Sequence, residues 1–434
     1  YTYQWLKNDV AIPNATGTSV ALTNVPLSES GSRYACRVTN PYGDNLTSSN
    51  AILTVIQDTF KPVAYAVGSL RGTNIGVYFR DDNLLDPVTA GDPANYTVNN
   101  GAITVIGATV EPDRLAVILS LSAPVSGAFS VAIKNVKDAA PIPNTIDTIT
   151  LQSSVVTWPL NQDIGSFTGT PPVFSDPIMP GFAQAIGTNG FYVHAGGGDI
   201  WNAADGMHFV YQPISGNFDV AVRVTGLRMA DAWSKAGLML RADLDATSRN
   251  YLIATTPSAG NNLLTMQWRP DKNVATLSLP DNMRPRPSLI PNAWLRITRA
   301  DQVFSFYYGT NGTDWVTFYT TNEVATPYPS SVYVGLATTS HNNGNSLTNT
   351  TGAYFQDLTG FTLPVVARPA LVATVQGANL VLSWTTTDAS FKLQSTATVA
   401  IGWANDPAVP VVAGNNYTVT VPLSTGAKFY RLSK

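Results

Sequence analysis

The chain has 434 residues, of which 44% are hydrophobic and only 12% are charged. This length predicts three or four domains of roughly 100 to 200 residues each. The shortage of charge, together with many Thr, Asn, Ser and Val residues, favours an exported β-rich protein over a cytoplasmic helical one. A net charge of −3 with scattered basic residues argues against nucleic acid as a partner. No apolar run approaches about 18 residues, so we expect no insertion into a membrane.

Short alternating runs of apolar and polar residues continue from end to end, bounded by Gly, Pro, Asn and Asp, and helical periodicity is almost absent. The single cysteine, Cys36, excludes an internal disulfide and a thiolate zinc site. The sequence therefore predicts an all-β chain that is stabilised by sheet packing. If the protein is exported, as the composition indicates, we expect its signal segment upstream of Tyr1.

Residues 1–56 begin with YTYQWLKN, which contains Trp5, and continue into SGSRYACRVTN, in which Tyr34 stands two residues before Cys36. This pattern resembles the tryptophan strand and the tyrosine corner of immunoglobulin-like domains. Such domains place two or three strands before the tryptophan, whereas here the tryptophan strand comes almost immediately. We expect the missing strands to lie upstream in a longer protein. Their donation by another chain is the alternative.

Residues 57–150 contain FRDDNLLDP, NYTV and a closing VKD. These segments resemble the immunoglobulin-like spacer modules found in strings on exported bacterial proteins, which implies a module that sets distance. Asp81, Asp82 and Asp86 in the first segment could supply hard oxygen ligands to a structural calcium ion. The segment lacks the regular alternation of a calcium loop, so we predict that these carboxylates bond nearby backbone in turns. Residues 151–163 are predicted to be a connection.

The region from 164 to 363 carries GGGDIWNAADGMHFVYQP, AWSKAGLMLRADLD, NAWLRITRADQ and YVGLATTSHNN. In this order the segments resemble the concanavalin- and laminin-G-like sandwich domains of bacterial extracellular proteins. Residues 364–434 end in GAKFYRLSK and resemble the immunoglobulin-like module that closes many large exported bacterial proteins. The predicted fold class is therefore all-β, with tandem immunoglobulin-like sandwiches and one larger concanavalin-like jelly-roll sandwich.

Sequence signatures of catalysis are missing. Concanavalin-like enzymes that cleave polysaccharides usually carry two glutamates a few residues apart on one strand, whereas Glu29, Glu111 and Glu323 lie in different predicted units or loops. Asp243 and Asp245 would share one face of an extended segment, but a solvated strand end is the preferred interpretation. No GxSxG or HxxxH pattern occurs. We predict no enzymatic activity and no cofactor.

Histidines and further aspartates of the sandwich region offer other candidate contacts. His208 alternates with apolar neighbours and is predicted to be hydrogen-bonded and partly buried. His341 opens a polar loop after a strand, so it is the better candidate to contact a ligand. Asp199 and Asp205 in GGGDIWNAADG could bind calcium, although turn formation is the preferred interpretation.

Strand alternation in the same region predicts a polar sheet face. In the predicted strand WSKAGLMLRA, it places Ala236, Leu238 and Leu240 in the core. The side chains predicted to face outward from this and other strands are Lys235, Arg241, Thr265, Gln267, Arg269, Arg296 and Thr298. Trp233 lies just before the strand that carries Lys235 and stands outside its alternation. The tryptophans predicted to be structural are Trp201, Trp294, Trp315 and Trp384.

Sugars bind to aromatic faces framed by polar side chains, so this sheet face is a candidate glycan platform. A merely solvated surface is the alternative. The predicted ligand-binding residues are Trp233, Lys235, Arg241, Gln267, Arg269 and His341.

Three functions are consistent with these patterns. The first is a non-catalytic extracellular or cell-surface segment that binds a polysaccharide or a cell-surface glycan. The second is a structural protomer of an extracellular fibre or surface layer, completed by strand exchange with copies of itself. The third is an accessory part of a polysaccharide-degrading enzyme whose catalytic domain lies upstream.

Overall fold

The structure is a computed structural model that describes residues 1–23, 25–165, 179–321, 326–342, 344, 346–361, 371–385, 391–398, 403–413, 416–423 and 426–433. It is 51% strand and 5% helix, which confirms the all-β class. The chain divides into two compact units, Tyr1–Phe361 and Thr362–Lys434. Within the described ranges, no helix has the length and apolarity needed to cross a bilayer.

The first five strands form one sheet in the order β2-β1-β3-β4, with β5 paired to β3. The elements are β1 Thr2–Lys7, β2 Val10–Ala11, a 3-10 helix Leu27–Glu29, β3 Arg33–Thr39, β4 Asn45–Thr47 and β5 Ala51–Ile52. Leu6 and Ala35 are buried, whereas Val10, Leu46 and Ile52 are exposed. The described residues of this region therefore form a single sheet with a very small core.

The next seven strands form one sheet in the order β8-β11-β12-β6-β7-β10-β9. The strands are β6 Val63–Leu70, β7 Asn74–Arg80, β8 Tyr96–Val98, β9 Val105–Val110, β10 Ala116–Leu121, β11 Ala128–Ile133 and β12 Ile149–Val156. The helical turns are α1 Pro87–Ala90 and the 3-10 helices Pro93–Asn95 and Asn99–Gly101. Alternate residues such as Ile75, Val77 and Leu119 point into one core because side chains alternate along a strand. We call residues 57–156 the second module.

A sandwich of two seven-stranded sheets follows. The front sheet has the order β13-β18-β27-β20-β21-β22-β23, and the back sheet has the order β14-β15-β28-β19-β24-β25-β26. The first strands are β13 Leu160–Ile164, β14 Phe182–Ala185, β15 Gly190–Ala195, β16 Ile200–Trp201, β17 Ala204–Asp205, β18 Met207–Ser215, β19 Phe218–Leu227 and β20 Lys235–Arg241. The remaining strands are β21 Asn250–Thr255, β22 Leu264–Arg269, β23 Leu277–Ser278, β24 Ala293–Ala300, β25 Val303–Gly309, β26 Val316–Thr320, β27 Ser331–Thr339 and β28 Thr351–Thr359. Two 3-10 helices occupy Asp281–Met283 and Leu347–Asn349.

The core of the sandwich lies between its two sheets. Ala236, Leu238 and Leu240 enter it from β20, as strand alternation predicts, and meet Phe306 and other apolar side chains of the back sheet. Trp158 also belongs to this core. The connection predicted over 151–163 is thus shorter in the structure, because β12 continues to Val156 and β13 starts at Leu160.

Strands β16 and β17 pair only with each other in the described structure, as a small hairpin that belongs to neither large sheet. We call residues 196–206 the covering hairpin. Ile200 packs in a second apolar cluster with Met239, Leu252 and Phe209. These three front-sheet residues alternate with residues of the main core, so they lie on the outer face of the front sheet. The covering hairpin therefore lies across that outer face.

The C-terminal unit contains a four-stranded sheet, β29-β30-β34-β33, and a three-stranded sheet, β32-β31-β35. Its strands are β29 Val372–Gln376, β30 Asn379–Thr385, β31 Lys392–Thr396, β32 Ala404–Asn405, β33 Val411–Ala413, β34 Asn416–Pro422 and β35 Phe429–Ser433. Leu382, Trp384, Leu393 and Val419 are buried together as its core. Trp384 is thus a core residue, as the sequence predicts.

Candidate functional site

The polar face of the front sheet is buried. Lys235 and Gln267 are each 2% exposed, and Arg241 and Arg269 are 0% exposed. The prediction of a shallow, solvated, cation-bearing sheet is therefore wrong. Alternation identified which side chains point away from the sandwich core, but the covering hairpin lies over them and removes them from water.

A fully buried carboxylate explains how two arginines are accommodated under the covering hairpin. Asp205 Oδ2 accepts a hydrogen bond from Arg241 Nη1 at 2.8 Å, and its Oδ1 accepts one from Arg269 Nη2 at 2.5 Å. Asn250 Nδ2 donates to the same carboxylate at 3.0 Å. Arg241 and Arg269 are thus removed from the predicted ligand-binding set, because neither is accessible to a ligand. They hold the covering hairpin on the sheet.

The polar residues predicted on β24 lie elsewhere. Arg296 and Thr298 are in the back sheet, so they do not share a face with β20 and β22. Arg296 Nε donates to Asp219 Oδ1 at 2.7 Å on the neighbouring strand β19. The prediction that they extend the polar face of the front sheet is wrong, since a single strand pattern does not reveal which sheet the strand joins.

A cavity of about 270 Å³ opens beside the covering hairpin. We call it the Trp233 pocket. Its lining residues are Asp199, Trp201, Trp233, Lys235, Thr265, Gln267, Arg284 and His341. Four of the six predicted ligand-binding residues meet here, namely Trp233, Lys235, Gln267 and His341. Trp201, predicted to be structural, also lines the pocket and is half-buried.

The topology of the front sheet brings these distant segments together. Strands β20 and β27 are antiparallel neighbours with Lys235 opposite Thr339, which places His341 beside the start of β20. Thr265 and Gln267 alternate along β22 with residues of the main core, so both point toward the covering hairpin. His341 has a φ of 55°, in the left-handed region that few side chains other than Asn, Asp and His adopt.

A chain of ionisable groups includes three of the residues that line the pocket. Lys235 Nζ donates to Asp199 Oδ1 at 2.5 Å. The other oxygen of Asp199 lies 3.4 Å from His341 Nε2, and His341 Nδ1 lies 2.8 Å from Asp231 Oδ1. Burial acts to raise the pKa of Asp199, but Lys235 and His341 outweigh it and hold that pKa below the usual 3.8. Asp199 is therefore a carboxylate anion at neutral pH.

Two cations lie near the indole of Trp233. Lys235 Nζ is 5.5 Å and Arg284 Cζ is 5.6 Å from the centroid of the ring, within the range of a cation–π interaction. Arg284 follows the 3-10 helix Asp281–Met283 in a proline-rich loop. Sequence reasoning missed it because no strand period extends into that loop. A basic residue between closely spaced prolines was the available signal.

Two polar side chains of β22 complete the floor of the pocket. Gln267 Nε2 donates to the carbonyl of Ile200 at 2.8 Å, which fixes the amide against the covering hairpin. Thr265 is 1% exposed, and no described residue forms a hydrogen bond with its Oγ1. A buried hydroxyl without a partner costs free energy that a bound molecule can recover. The pocket thus offers unsatisfied hydrogen-bonding capacity.

The other candidate residues have partners within the protein. His208 is buried, with Nδ1 2.9 Å from Asp163 Oδ1. Asp243 is half-buried and Asp245 is exposed in the loop after β20, and both lie close to Lys272.

The carboxylates considered for calcium have other neighbours. Asp86 caps α1 by accepting from the backbone of Val88 and Thr89, and Asp81 accepts from the backbone of Asn83. Asp82 is in the same loop. Asp199 and Asp205 bind the cations described above. Among the described residues, no group of three or more His, Cys, Asp or Glu side chains is arranged to hold a metal ion.

Comparison with known proteins assigns no family. No protein-family model matches the chain, and no curated protein matches it significantly. A functionally unknown protein from Saccharomyces cerevisiae is 16% identical over 39% of this chain and 86% of its own, with a TM-score of 0.30. The GH43 protein BlXynB from Bacillus licheniformis is 14% identical over 77% of this chain and 61% of its own, with a TM-score of 0.29. Domains 1–6 of the surface layer protein SbsC are 11% identical over 84% of this chain and 63% of their own, with a TM-score of 0.22. At this similarity, function has to be argued from the site itself.

Proposed function

We propose that the Trp233 pocket binds one ring of a polysaccharide or cell-surface glycan and that the protein acts outside the cell. The observation that carries the proposal is a cavity lined by two indoles, Trp201 and Trp233, and by the buried hydroxyl of Thr265, which has no partner among the described residues. Aromatic faces suit the C–H face of a sugar, and hydroxyl and amide groups suit its oxygens. The volume of about 270 Å³ is just below the roughly 300 Å³ at which pockets for drug-sized ligands begin. It therefore fits a single ring.

Binding without cleavage is part of the proposal. Hydrolysis of a glycosidic bond usually needs a pair of carboxyl groups, one of which is protonated and acts as the general acid. Among the described lining residues, Asp199 is the one carboxylate, and its ion pair with Lys235 keeps it deprotonated. This environment supports a binding role for Asp199. A role for the chain beside an upstream catalytic domain is compatible with the same binding.

Two properties of the chain support an extracellular role. Only 12% of the residues are charged, a composition typical of exported β-rich proteins. The paired seven-stranded antiparallel sheets support the concanavalin-like interpretation of residues 164–363. That resemblance is to domains of bacterial extracellular proteins, so it also favours a place outside the cell.

Glycan-array binding of the full chain tests the proposal. We expect Trp233→Ala to weaken binding about ten- to a hundredfold, because an aromatic side chain contributes about 1.5–3 kcal/mol when it is covered. Trp315→Ala is the matched control, since Trp315 is half-buried in an edge-on contact with Trp294 near the back sheet. Retention of no glycan, or equal binding by both variants, would refute glycan binding at this pocket.

Self-association is the second candidate function. Val10, Leu46 and Ile52 of the N-terminal sheet are 69%, 78% and 69% exposed, and exposed aliphatic side chains on a small sheet favour coverage by a second copy of the chain. We expect sedimentation velocity of the full chain to show a concentration-dependent dimer or larger species. Leu46→Lys should return it to a monomer. A monomer at every concentration up to the millimolar range would contradict this candidate.

A further inference from the structure

We propose that the glycan ring bound in the Trp233 pocket carries a carboxylate, as in a uronic acid, and that Arg284 is its counter-ion. This inference rests on the proposed glycan binding and specifies its ligand class.

Each carboxylate described around the pocket already has its own partner. Asp199 is paired with Lys235 at 2.5 Å. Asp231 lies 2.8 Å from His341 and also accepts from the backbone N–H of Trp233. A third carboxylate, Asp281, is paired with Arg286 at 3.0 Å.

Arg284 is the cation that remains. Its shortest distance to a described carboxylate is 3.9 Å, from Nη1 to Asp281 Oδ1, which is too long for a hydrogen bond. The oxygen at that distance is the one that Arg286 contacts more closely. The Asp281 side chain is 70% exposed, so water weakens its attraction for Arg284. The pocket therefore contains one positive charge that none of the described carboxylates closely compensates.

The guanidinium of Arg284 is also held in a fixed orientation. Nε donates to the carbonyl of Leu279 at 3.0 Å, and Nη2 donates to Ser278 Oγ at 2.7 Å. These bonds use two of its five N–H groups and leave those on Nη1 without a described acceptor. A fixed planar guanidinium with free donors matches the two oxygens of a carboxylate.

The environment of Arg284 favours an added anion. The Arg284 side chain is 13% exposed, and burial lowers the pKa of the guanidinium despite the opposing effect of Asp281. Partial removal from water strengthens the attraction between this cation and a ligand carboxylate. The ring that bears the carboxylate would then lie near Trp233, whose indole is 5.6 Å from Arg284, with Thr265 Oγ1 available to its hydroxyls.

Matched pairs of sugars test the inference on the full chain. Isothermal titration calorimetry would compare the methyl glycosides of glucuronate and glucose, galacturonate and galactose, and mannuronate and mannose. Within at least one pair we expect the acidic sugar to bind about tenfold or more tightly, because a charge-assisted pair is stronger than a neutral hydrogen bond. The ratio of the two affinities should decrease in part as sodium chloride rises from about 0.05 to about 0.5 M, because salt screens the attraction between the charges.

Three variants test whether Arg284 causes the preference for the acidic sugar. Arg284→Gln should bind the acidic and neutral members of a pair about equally, whereas Arg284→Lys should retain part of the difference. Arg296→Gln is the control, since that arginine is paired with Asp219 on the back sheet, and it should behave as the parent chain does. Near-ultraviolet circular dichroism would verify that each variant is folded.

The outcomes separate this inference from the function on which it rests. Equal affinity for acidic and neutral sugars, lost on Trp233→Ala, would overturn the carboxylate inference and leave glycan binding intact. An acidic preference that persists in Arg284→Gln would also overturn it, because another group would then be the counter-ion. Binding of no sugar in any pair, together with an empty glycan array, would overturn both proposals.

Discussion

Replacement of Asp205 by asparagine is expected to lower the free energy of unfolding of the Tyr1–Phe361 unit by about 3–5 kcal/mol. Asp205, Arg241 and Arg269 are each 0% exposed, and both arginines donate to the one carboxylate. Asparagine has nearly the same shape but no charge, so two guanidinium groups would stay buried without a counter-ion. Urea unfolding followed by tryptophan fluorescence would measure the loss.

Asp243→Asn is the matched control for this prediction. Asp243 is also close to a cation, with Lys272 at 3.5 Å, but its side chain is 44% exposed. A surface pair of this kind contributes about 0–1 kcal/mol, so the control should unfold nearly as the parent chain does. A loss below about 1 kcal/mol in Asp205→Asn would show that the buried carboxylate is not needed to hold the two arginines.

The same triad shows what could and could not be predicted from the sequence. Alternation placed Leu238 and Leu240 in the main core and Arg241 on the opposite face, and both placements hold in the structure. It did not predict what covers that face. The partner of Arg241 is 36 residues away, on a two-residue strand too short to show a period. A sheet face with several cations and an acidic segment, GGGDIWNAADG, was the available signal for this pairing.

The candidate site was predictable to the extent that strands define it. Trp233, Lys235 and Gln267 lie on or next to strands, and the pocket brings them together. Arg284 and Trp201 were missed as lining residues because their positions depend on loop and hairpin packing. His341 was identified from its place at the start of a polar loop, but its neighbours Asp199 and Asp231 come from segments far away in the sequence.

The second module is more than a separate spacer. Its backbone N–H of Leu70 donates to Gln184 Oε1 of the sandwich at 2.5 Å. Tyr78 of β7 is fully buried, and its ring lies 6.2 Å from those of Tyr192 and Tyr354. A buried aromatic cluster with hydrogen bonds across it resists independent motion of the two parts. These contacts therefore hold the second module and the sandwich in a fixed relation to each other.

Glu111 is a buried carboxylate at this contact, and Glu111→Ala is expected to destabilise the Tyr1–Phe361 unit by about 2–6 kcal/mol. Tyr192 donates its hydroxyl to Glu111 Oε2 at 2.9 Å, and His194 Nδ1 lies 2.7 Å from the same oxygen. Alanine would remove the hydrogen-bond partner of both buried groups, at about 1–3 kcal/mol for each. Differential scanning calorimetry should show the joint transition of second module and sandwich separating into two.

Glu111→Gln and Tyr192→Phe test the physical reason for that effect. Glutamine keeps an oxygen that can accept from Tyr192, so we expect a smaller loss than with alanine. Phenylalanine removes one donor and leaves the contact between Glu111 and His194, so its loss should be about 1 kcal/mol. If all three variants kept one transition at the parent temperature, apolar packing around Tyr78 would be sufficient to join the two parts. A graded series of stability losses, largest for Glu111→Ala, would instead show that the buried carboxylate joins the second module to the sandwich.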